Sequence, residues 1–303
     1  MAKGPVIAAA PLALATRGWP DYALLDSGGG RKLERLGERR LIRPEPQCLW
    51  RPHDPQAWTS ADAAFEAGGE GDDDDAAGRW RRQGDLSQSW ALSFGQVRFA
   101  VRLTSFRHLG VFPEHAANWR WIAEQLARAG RPLRVLNLFG YTGVASLAAA
   151  AAGAEVTHVD ASKKAVQWAR ENAGLSDLAA APIRWICEDA RTWVRREIRR
   201  GAAYDAIILD PPKFGRGPGG EVWRLYDDLA VLVAGCAALL SPDARFLLLN
   251  AYAERITGVA LAGLMSEALT GRGGGIEFGE LDLMEETGER GVGLSFFARW
   301  VGS

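Results

Sequence analysis

The 303-residue sequence predicts an α/β fold in which a mainly parallel sheet carries helices on both faces and ends in a C-terminal antiparallel hairpin. The first observation is that short apolar runs alternate with segments of helical period from Leu133 onwards. The second is that residues 1–104 lack this alternation and contain β patterns separated by turns. We therefore expect a small, mostly β amino-terminal domain over 1–104 and an α/β domain over 105–303.

Four segments of the amino-terminal domain have distinct patterns. Residues 6–15 are apolar and faintly resemble a signal peptide, although a single lysine precedes them and Pro11 interrupts them. Residues 31–43 hold six basic and two acidic side chains, which either bind phosphates or lie on a pair of solvated surface strands. Residues 66–78 include four consecutive aspartates and predict a mobile acidic loop. In residues 89–103, two segments with the pattern of β-strands flank a central glycine, and this arrangement predicts a hairpin.

The α/β part begins with a predicted helix over 115–129 that ends at Gly130. The predicted strands that follow are 133–138, 155–159, 183–187, 204–209, 245–249, 276–284 and 293–301. The predicted helices between them are 144–152, 162–173, 190–200, 223–240 and 257–270. Because ligands of such sheets bind beyond the carboxyl ends of the strands, we expect the functional residues at those ends.

The first strand ends in Asn137-Leu-Phe-Gly-Tyr-Thr-Gly143, a glycine turn that opens a helix and lets a ligand approach free backbone amides. The second strand ends in Asp160, which is placed to bind the two hydroxyls of a ribose. Dinucleotides and S-adenosylmethionine both use this arrangement. The turn lacks the G-x-G-x-x-G pattern and carries bulky Phe139 and Tyr141, which argues against a pyrophosphate. The alternative is an ordinary turn without a ligand.

The third and fourth strands are followed by further acidic residues. Asp189 can accept a hydrogen bond from an adenine amino group, while Ala190 offers its amide to a ring nitrogen; alternatively, Asp189 caps the helix behind it. The fourth strand leads into Asp210-Pro-Pro-Lys-Phe214, where two prolines make a rigid turn, poor in donors, that can hold a planar base or amide edge. Residues 215–220 are mostly glycine and predict a flexible lid over this turn.

These motifs, in this order, resemble those of class I S-adenosylmethionine-dependent methyltransferases. The segments that carry the resemblance are Asn-Leu-Phe-Gly-Tyr-Thr-Gly, Val-Asp-Ala-Ser, Glu-Asp-Ala and Asp-Pro-Pro-Lys-Phe. More narrowly, the chain is similar to the bacterial 23S ribosomal RNA methyltransferases that modify carbon 5 of cytosine or nitrogen 7 of guanine. Residues 108–114 resemble that family's loop before the first motif, and residues 225–229 resemble the helix after the last. The likeness covers residues 105–303, and the first hundred residues do not resemble the RNA-binding PUA domain of many members.

The resemblance implies a Rossmann-like, seven-stranded methyltransferase sheet and S-adenosylmethionine as the cofactor. The implied cofactor-binding residues are Phe112, Glu114, Asn137, Phe139, Gly140, Tyr141, Thr142, Gly143, Asp160, Ser162, Asp189 and Ala190. Within this set, the turn 139–143 would hold the methionine part, Asp160 the ribose and Asp189 the adenine. The implied catalytic residues, which face the methyl group and the target, are Asp210, Pro211, Pro212, Lys213 and Phe214.

One departure from the family bears on the target atom. Members that methylate carbon 5 of cytosine carry a cysteine at the end of the fifth strand, because this carbon becomes nucleophilic only after a thiolate adds to the ring. Here that position contains Asn250-Ala-Tyr252, without a thiol. A base nitrogen has its own lone pair and needs only positioning. We therefore expect methylation at a nitrogen, with Asn250 orienting the target.

Composition limits the other function classes. The three cysteines and four histidines lack metal-ligand spacing, so we expect no metal, no disulfide and a cytoplasmic location. No apolar run is long enough to span a membrane. The net charge is −1, so binding of ribosomal RNA, the expected partner, would depend on local patches such as the arginine-rich helix 190–200 and on stacking tryptophans. A small-molecule or protein methyltransferase and a cofactor-binding module without turnover are the alternatives, and the oligomeric state is open.

Overall fold

The computed structural model describes residues 4–68, 77–252, 256–288 and 290–303. Within it the chain forms two compact units. The first unit consists of the residues up to 14, 117–281 and 294–303, and the second unit consists of 15–116 and 282–293. The domain boundary expected after residue 104 stays a prediction.

The amino-terminal third of the chain is mainly β-structure. Its strands are β1 (Val6–Ile7), β2 (Leu12–Thr16), β3 (Tyr22–Gly28), β4 (Arg31–Leu36), β5 (Arg39–Pro44), β6 (Ala63–Ala67), β7 (Gly78–Arg82), β8 (Ser89–Phe94) and β9 (Val97–Arg102), with a short 3-10 helix at Ala57–Ser60. Strands β8 and β9 form the predicted hairpin, and Gly95 in its turn has a φ of 57°. Of the acidic loop expected at 66–78, residues 69–76 lie outside the described residues, and the flanking residues end β6 and begin β7.

Helices and strands alternate through the rest of the chain. The helices are α1 (Ala116–Arg128), which follows a 3-10 turn at Pro113–His115, α2 (Val144–Ala151), α3 (Lys163–Leu175), α4 (Ala190–Arg199), α5 (Leu225–Leu239) and α6 (Gly258–Ala268). The strands are β10 (Arg134–Leu138), β11 (Glu155–Asp160), β12 (Ile183–Cys187), β13 (Ala206–Leu209), β14 (Phe214–Arg216), β15 (Val222–Arg224), β16 (Phe246–Tyr252), β17 (Gly275–Met284) and β18 (Gly291–Val301). Among the described residues, no helix has the length and apolar character needed to cross a membrane.

The main sheet has nine strands among the residues that the structure describes. Their order is β1-β17-β18-β16-β13-β10-β11-β12, and β2 also pairs with β17. Strands β12, β11, β10, β13 and β16 are parallel neighbours, and β18 returns antiparallel to β16. The predicted α/β class is therefore confirmed. The sheet exceeds the expected seven strands because the apolar run 6–15 supplies β1 and most of β2.

Alternate side chains of the parallel strands pack on opposite faces of this sheet. Leu136 and Ile207 join a buried cluster with side chains of α4, α5 and α6. Val135 and Ile208 join a second cluster with side chains of α1 and α2. Burial on both faces explains why these strands are continuous apolar runs and not alternating ones.

The strand order creates a topological switch point between β10 and β13. From β10 the chain adds β11 and β12 on one side of the sheet, and β13 and β16 on the other. Leu138 pairs with both Val159 and Leu209, so the three strands end at the same edge. A crevice opens at such a point because the two connections leave in opposite directions, and ligands bind there in open α/β sheets.

The second unit contains a five-stranded sheet in the order β3-β4-β5-β6-β7. Its basic strands do not form a simple solvated face, because Lys32 and Arg43 are buried and pair with Glu34 and Glu45. Burial alone would raise the pKa of Glu34, but the charges of Arg43 and Lys32 outweigh it and lower this pKa from 4.5 to about 2. The inward-facing cations of 31–43 thus belong to an internal ion-pair network and are not available to bind phosphates.

Candidate functional site

The glycine turn, residues 139–143, leaves β10 and enters α2. Phe139 and Tyr141 have φ values of 57° and 49°, a left-handed conformation that is rare in residues other than glycine and that concentrates at functional sites. Gly143 has a φ of 88° and precedes α2, which no side chain caps. Its amide donates to the carbonyl of Gly140 at 2.9 Å and closes the turn. The backbone of the turn is therefore held in one strained shape at the switch point.

A buried hydrogen-bond network lies beneath the glycine turn. Asn137 Nδ2 donates to Ser146 Oγ at 2.8 Å, and this hydroxyl lies 3.0 Å from His158 Nδ1. Burial lowers the pKa of His158 to about 3, so the imidazole is neutral. A Cβ atom on Gly140 would lie 2.4 Å from His158 Cε1, which explains the glycine at this position.

Asp160 connects the end of β11 to the glycine turn. One of its carboxylate oxygens accepts from Tyr141 N and the other from Ser162 N, both at 2.8 Å. Ser162 in turn caps α3, since its hydroxyl accepts from Ala165 N at 3.2 Å. Burial raises the pKa of Asp160, and the two backbone donors act against this rise. Each carboxylate oxygen retains a lone pair that can accept a further hydrogen bond.

Asp189 caps α4 at the end of β12, as one of the two sequence interpretations expects. Its Oδ1 accepts from Thr192 N at 2.9 Å, and its Oδ2 lies 3.5 Å from Arg191. Asp189 and Ala190 are both buried. Contacts of these two residues with an adenine ring stay predictions.

The D-P-P turn, residues 210–214, follows β13 and so begins next to the end of β10. Pro211 is buried, whereas the side chains from Pro212 to Phe214 are exposed. Phe214 keeps 47% of its surface exposed, and the guanidinium of Arg216 lies 5.8 Å from its ring centroid. The turn therefore presents a half-exposed aromatic ring, with a cation over it, at the same sheet edge as the glycine turn.

Residues 215–220, for which the glycines predict a flexible lid, lie within an antiparallel ribbon of β14 and β15 that covers residues 214–224. Trp223, expected as the first residue of a helix, lies in β15, and α5 begins at Leu225. The Trp223 side chain is buried, its Nε1 donates to Pro212 O at 2.7 Å, and its ring lies 5.0 Å from that of Phe139. Sequence reasoning missed this residue, although a tryptophan three positions beyond a glycine-rich segment was a usable signal for buried packing.

Asn250, near the end of β16, forms an amide pair with Asn118 of α1, at the strand end where the sequence shows no thiol. Asn250 Oδ1 accepts from Asn118 Nδ2 at 2.8 Å, and both residues are buried. The only exposed cysteine in the described chain is Cys187, at the end of β12, and three strands separate β12 from β16. Burial raises the pKa of the Cys187 thiol, which disfavours the nucleophilic thiolate.

The remaining predicted cofactor residues have defined environments but no demonstrated role. Asn137 and Thr142 are buried, and the carbonyl of Thr142 accepts from Asn172 Nδ2 at 2.9 Å. Phe112 and Glu114 belong to the second unit, in which Glu114 is buried. Their contacts with a cofactor stay predictions. In the part of the chain that the structure describes, no group of three or more His, Cys, Asp or Glu side chains is arranged to hold a metal ion.

Two comparisons identify what this arrangement is similar to. Residues 47–254 match the family model described as S-adenosylmethionine-dependent methyltransferase. The crystal structure of the SAM-dependent methyltransferase from Agrobacterium tumefaciens is 49% identical with a TM-score of 0.95, covering 100% of this chain and 97% of that one. The crystal structure of SMU.776 complexed with SAH, at 18% identity and a TM-score of 0.68, covers 94% of this chain and 76% of that one and shares the fold alone.

Curated relatives match a shorter segment. The ribosomal RNA large subunit methyltransferase K/L of Shewanella sp. (strain MR-4) is 35% identical over 157 residues, which are 51% of this chain and 22% of the relative. The protein of the same name from Hahella chejuensis is 38% identical over 147 residues, 48% of this chain and 19% of the relative. The matched part of the chain thus spans about a fifth of the length of these relatives.

Proposed function

Because this chain belongs to the S-adenosylmethionine-dependent methyltransferase family, we propose that it methylates a base nitrogen of ribosomal RNA. The observation that carries the proposal is the pair of turns at the switch point, in which a strained glycine turn lies beside a D-P-P turn with an exposed aromatic ring. A cytoplasmic location is part of the same proposal.

The residues of the glycine turn fit this cofactor chemically. The turn contains no lysine or arginine, in keeping with a ligand that carries a positive sulfur and no phosphate. A methyl group on Gly140 would collide with His158, so the packing beneath the turn requires glycine at this position. We assign the methionine part to residues 139–143 and the ribose hydroxyls to the remaining lone pairs of Asp160. S-adenosylmethionine, when bound, supplies an electrophilic methyl group on its sulfur.

The D-P-P turn fits a flat, aromatic target. Phe214 offers an exposed face on which a base can stack, and single-stranded RNA bases are commonly recognised by such stacking. The half-buried carboxylate of Asp210 is an acceptor for an amino or imino hydrogen of that base. Two successive prolines restrict the backbone, so both groups stay in place without being ordered at the moment of binding.

The cysteines favour a nitrogen over carbon 5. Methylation of carbon 5 needs a thiolate that adds to the ring beside the methyl donor. Cys48 and Cys236 are buried, and the exposed Cys187 lies on the edge strand β12, with β11 and β10 between it and the D-P-P turn of β13. A nitrogen with its own lone pair requires no such thiol.

The proposal of ribosomal RNA as the substrate is supported by the names of the curated relatives and not by the basic helix α4. Two of its arginines have carboxylate partners, namely Arg191 with Asp228 and Arg196 with Glu188, and Arg200, which directly follows the helix, pairs with Glu197. These cations are largely neutralised within the protein, so α4 offers less free charge to phosphates than its composition indicates.

A transfer assay tests the proposal. The protein is incubated with methyl-labelled S-adenosylmethionine and with ribosomal RNA from cells that lack the gene, at rising salt concentration. We expect label in the RNA and a rate under subsaturating RNA that falls steeply with salt, because RNA binding releases counterions. Label that appears only in the protein or small-molecule fraction of a cell extract, with no label in RNA at any salt concentration, would overturn the assignment of the substrate.

A further inference from the structure

The ribbon of residues 214–224 contains a buried side chain that touches three parts of the site. We propose that Trp223 is a positioning residue for methyl transfer, which holds the D-P-P turn at a fixed place against the glycine turn. The inference rests on the methyltransferase function proposed above and extends it to a residue outside the motifs.

The indole of Trp223 joins the two turns directly. Its Nε1 donates to the carbonyl of Pro212, inside the D-P-P turn, at 2.7 Å. The same indole packs against the ring of Phe139 in a tilted arrangement, with the ring centroids 5.0 Å apart and the planes at 57°. Phe139 is one of the two strained residues of the glycine turn, so its left-handed conformation is supported by this packing. One rigid ring thus spans the gap between the proposed methyl-donor turn and the target turn.

The third contact links Trp223 to α4. The guanidinium of Arg191 lies 5.8 Å from the indole centroid and donates to Val222 O at 2.8 Å. Arg191 also pairs with Asp228 at 2.6 Å and with Asp189 at 3.5 Å. The indole therefore also lies against a guanidinium that is itself fixed by two carboxylates.

This arrangement predicts an effect on transfer that is separable from an effect on cofactor binding. Misplacement of a reacting group by about 1 Å can cost on the order of a hundredfold in rate. In Trp223→Phe the ring that packs on Phe139 is kept, whereas the donor to Pro212 is lost and the D-P-P turn is released. We expect kcat to fall by roughly tenfold or more, with the Kd of S-adenosylmethionine unchanged.

Trp300 provides a matched control. It is buried to the same extent as Trp223, and its Nε1 donates to a backbone carbonyl, that of Gly273, at 2.9 Å. It pairs with Leu247 near the beginning of β16, at the opposite end of the parallel strands from the two turns. Trp300→Phe removes the same kind of hydrogen bond, so it should lower thermal stability similarly and leave kcat unchanged.

The transfer assay uses ribosomal RNA from cells lacking the gene, and calorimetry measures S-adenosylmethionine binding. A kcat for Trp223→Phe equal to that of the wild type, or an equal loss in Trp300→Phe, would overturn the proposal. Hydrogen exchange gives a readout without substrate. Trp223→Phe should speed exchange in residues 212–224 only, whereas Trp223→Leu should also speed it in residues 139–143.

The two readouts separate the inference from the proposed function. If the wild type transfers no methyl group to ribosomal RNA, the proposed substrate fails and hydrogen exchange decides the role of Trp223. Exchange in both turns that is unchanged in Trp223→Leu contradicts the positioning role, whatever the substrate.

Discussion

Replacing Gly140 with alanine tests the assignment of the glycine turn as the cofactor site. The added methyl group would lie 2.4 Å from His158 Cε1 and 2.5 Å from His158 Nδ1, which is closer than Cβ atoms approach other heavy atoms. The imidazole has little room to withdraw, because it is fully buried, packs against Trp185 and is hydrogen-bonded to Ser146. Gly140 is not among the glycines with positive φ, so the perturbation is steric.

The expected cost follows from the contacts that must change. Overpacking of a buried site costs about 1–3 kcal/mol. If the turn moves away from His158, the hydrogen bond from Tyr141 N to Asp160 is also weakened, at about 1 kcal/mol. The sum is about 2–4 kcal/mol. Where displacement of the turn from its binding shape takes up the whole of this cost, it corresponds, at about 1.4 kcal/mol per factor of ten, to a loss of cofactor affinity of roughly 30- to 700-fold.

Calorimetric titration with S-adenosylmethionine measures this loss, and thermal unfolding measures the accompanying change in stability. Gly174→Ala is the control, because Gly174 lies in α3 with no heavy atom within 4 Å of the added Cβ. We expect that variant to bind normally and to be slightly more stable. The double variant Gly140→Ala with His158→Ala removes the collision and should bind better than Gly140→Ala alone. Wild-type affinity in Gly140→Ala would refute the reasoning.

Three further variants test other parts of the account. Asp160→Ala removes the proposed ribose contact and leaves two backbone donors unpaired, so the Kd of S-adenosylmethionine should rise at least tenfold by calorimetry; an unchanged Kd would contradict the ribose assignment. Asp210→Ala should retain cofactor binding and lose methyl transfer. The control is Asp243→Ala at an exposed position, which should leave both properties unchanged. Full methyl transfer by Asp210→Ala would show that Asp210 does not belong to the site. The pKa of Glu34 is lowered from 4.5 to about 2, so its contribution, on the order of 3 kcal/mol, is present above pH 4.5 and is lost as the pH falls towards 2. Glu34→Gln should lose about 3–5 kcal/mol at neutral pH, since it leaves Arg43 buried without its partner, and its unfolding free energy should vary less between pH 4.5 and 2; a variant as stable as the wild type would contradict the ion-pair account.

The sequence predicted the positions of the strand ends well, because a parallel sheet buried on both faces leaves a strong signal. The apolar runs that end at Leu138, Asp160 and Leu209 have no other stable placement than the interior of such a sheet. The locations of the glycine turn and the D-P-P turn could be inferred from those strand ends alone. The left-handed φ values of Phe139 and Tyr141 could not be predicted, because neither residue type favours them and only the surrounding packing maintains them.

Local composition was a poor guide where tertiary partners decide. The glycines of 215–220 predicted a flexible segment, but the flanking residues pair as a ribbon that the buried Trp223 fastens to Pro212. The cations of 31–43 were expected at the surface, whereas Lys32 and Arg43 point into a buried network because acidic partners from the same sheet accompany them. A sequence shows which residues are charged but not which of them form ion pairs in the fold.

The same limit applies to the fifth strand end. Asn250 was expected to orient the target, and the structure shows its amide oxygen bonded to Asn118 of α1 inside the protein. These residues lie 132 positions apart, so no local pattern predicts the pair. The sequence does show that this strand end carries no cysteine, and this absence bears on the target atom.

Nucleoside mass spectrometry of digested ribosomal RNA, from source cells with and without this gene, tests the central claim most directly. The account predicts one methylated nucleoside that is absent without the gene and that carries its methyl group on a base nitrogen. A missing 5-methylcytidine would keep the RNA substrate and contradict the argument from the cysteines. Identical profiles from the two cell types would contradict ribosomal RNA as the substrate.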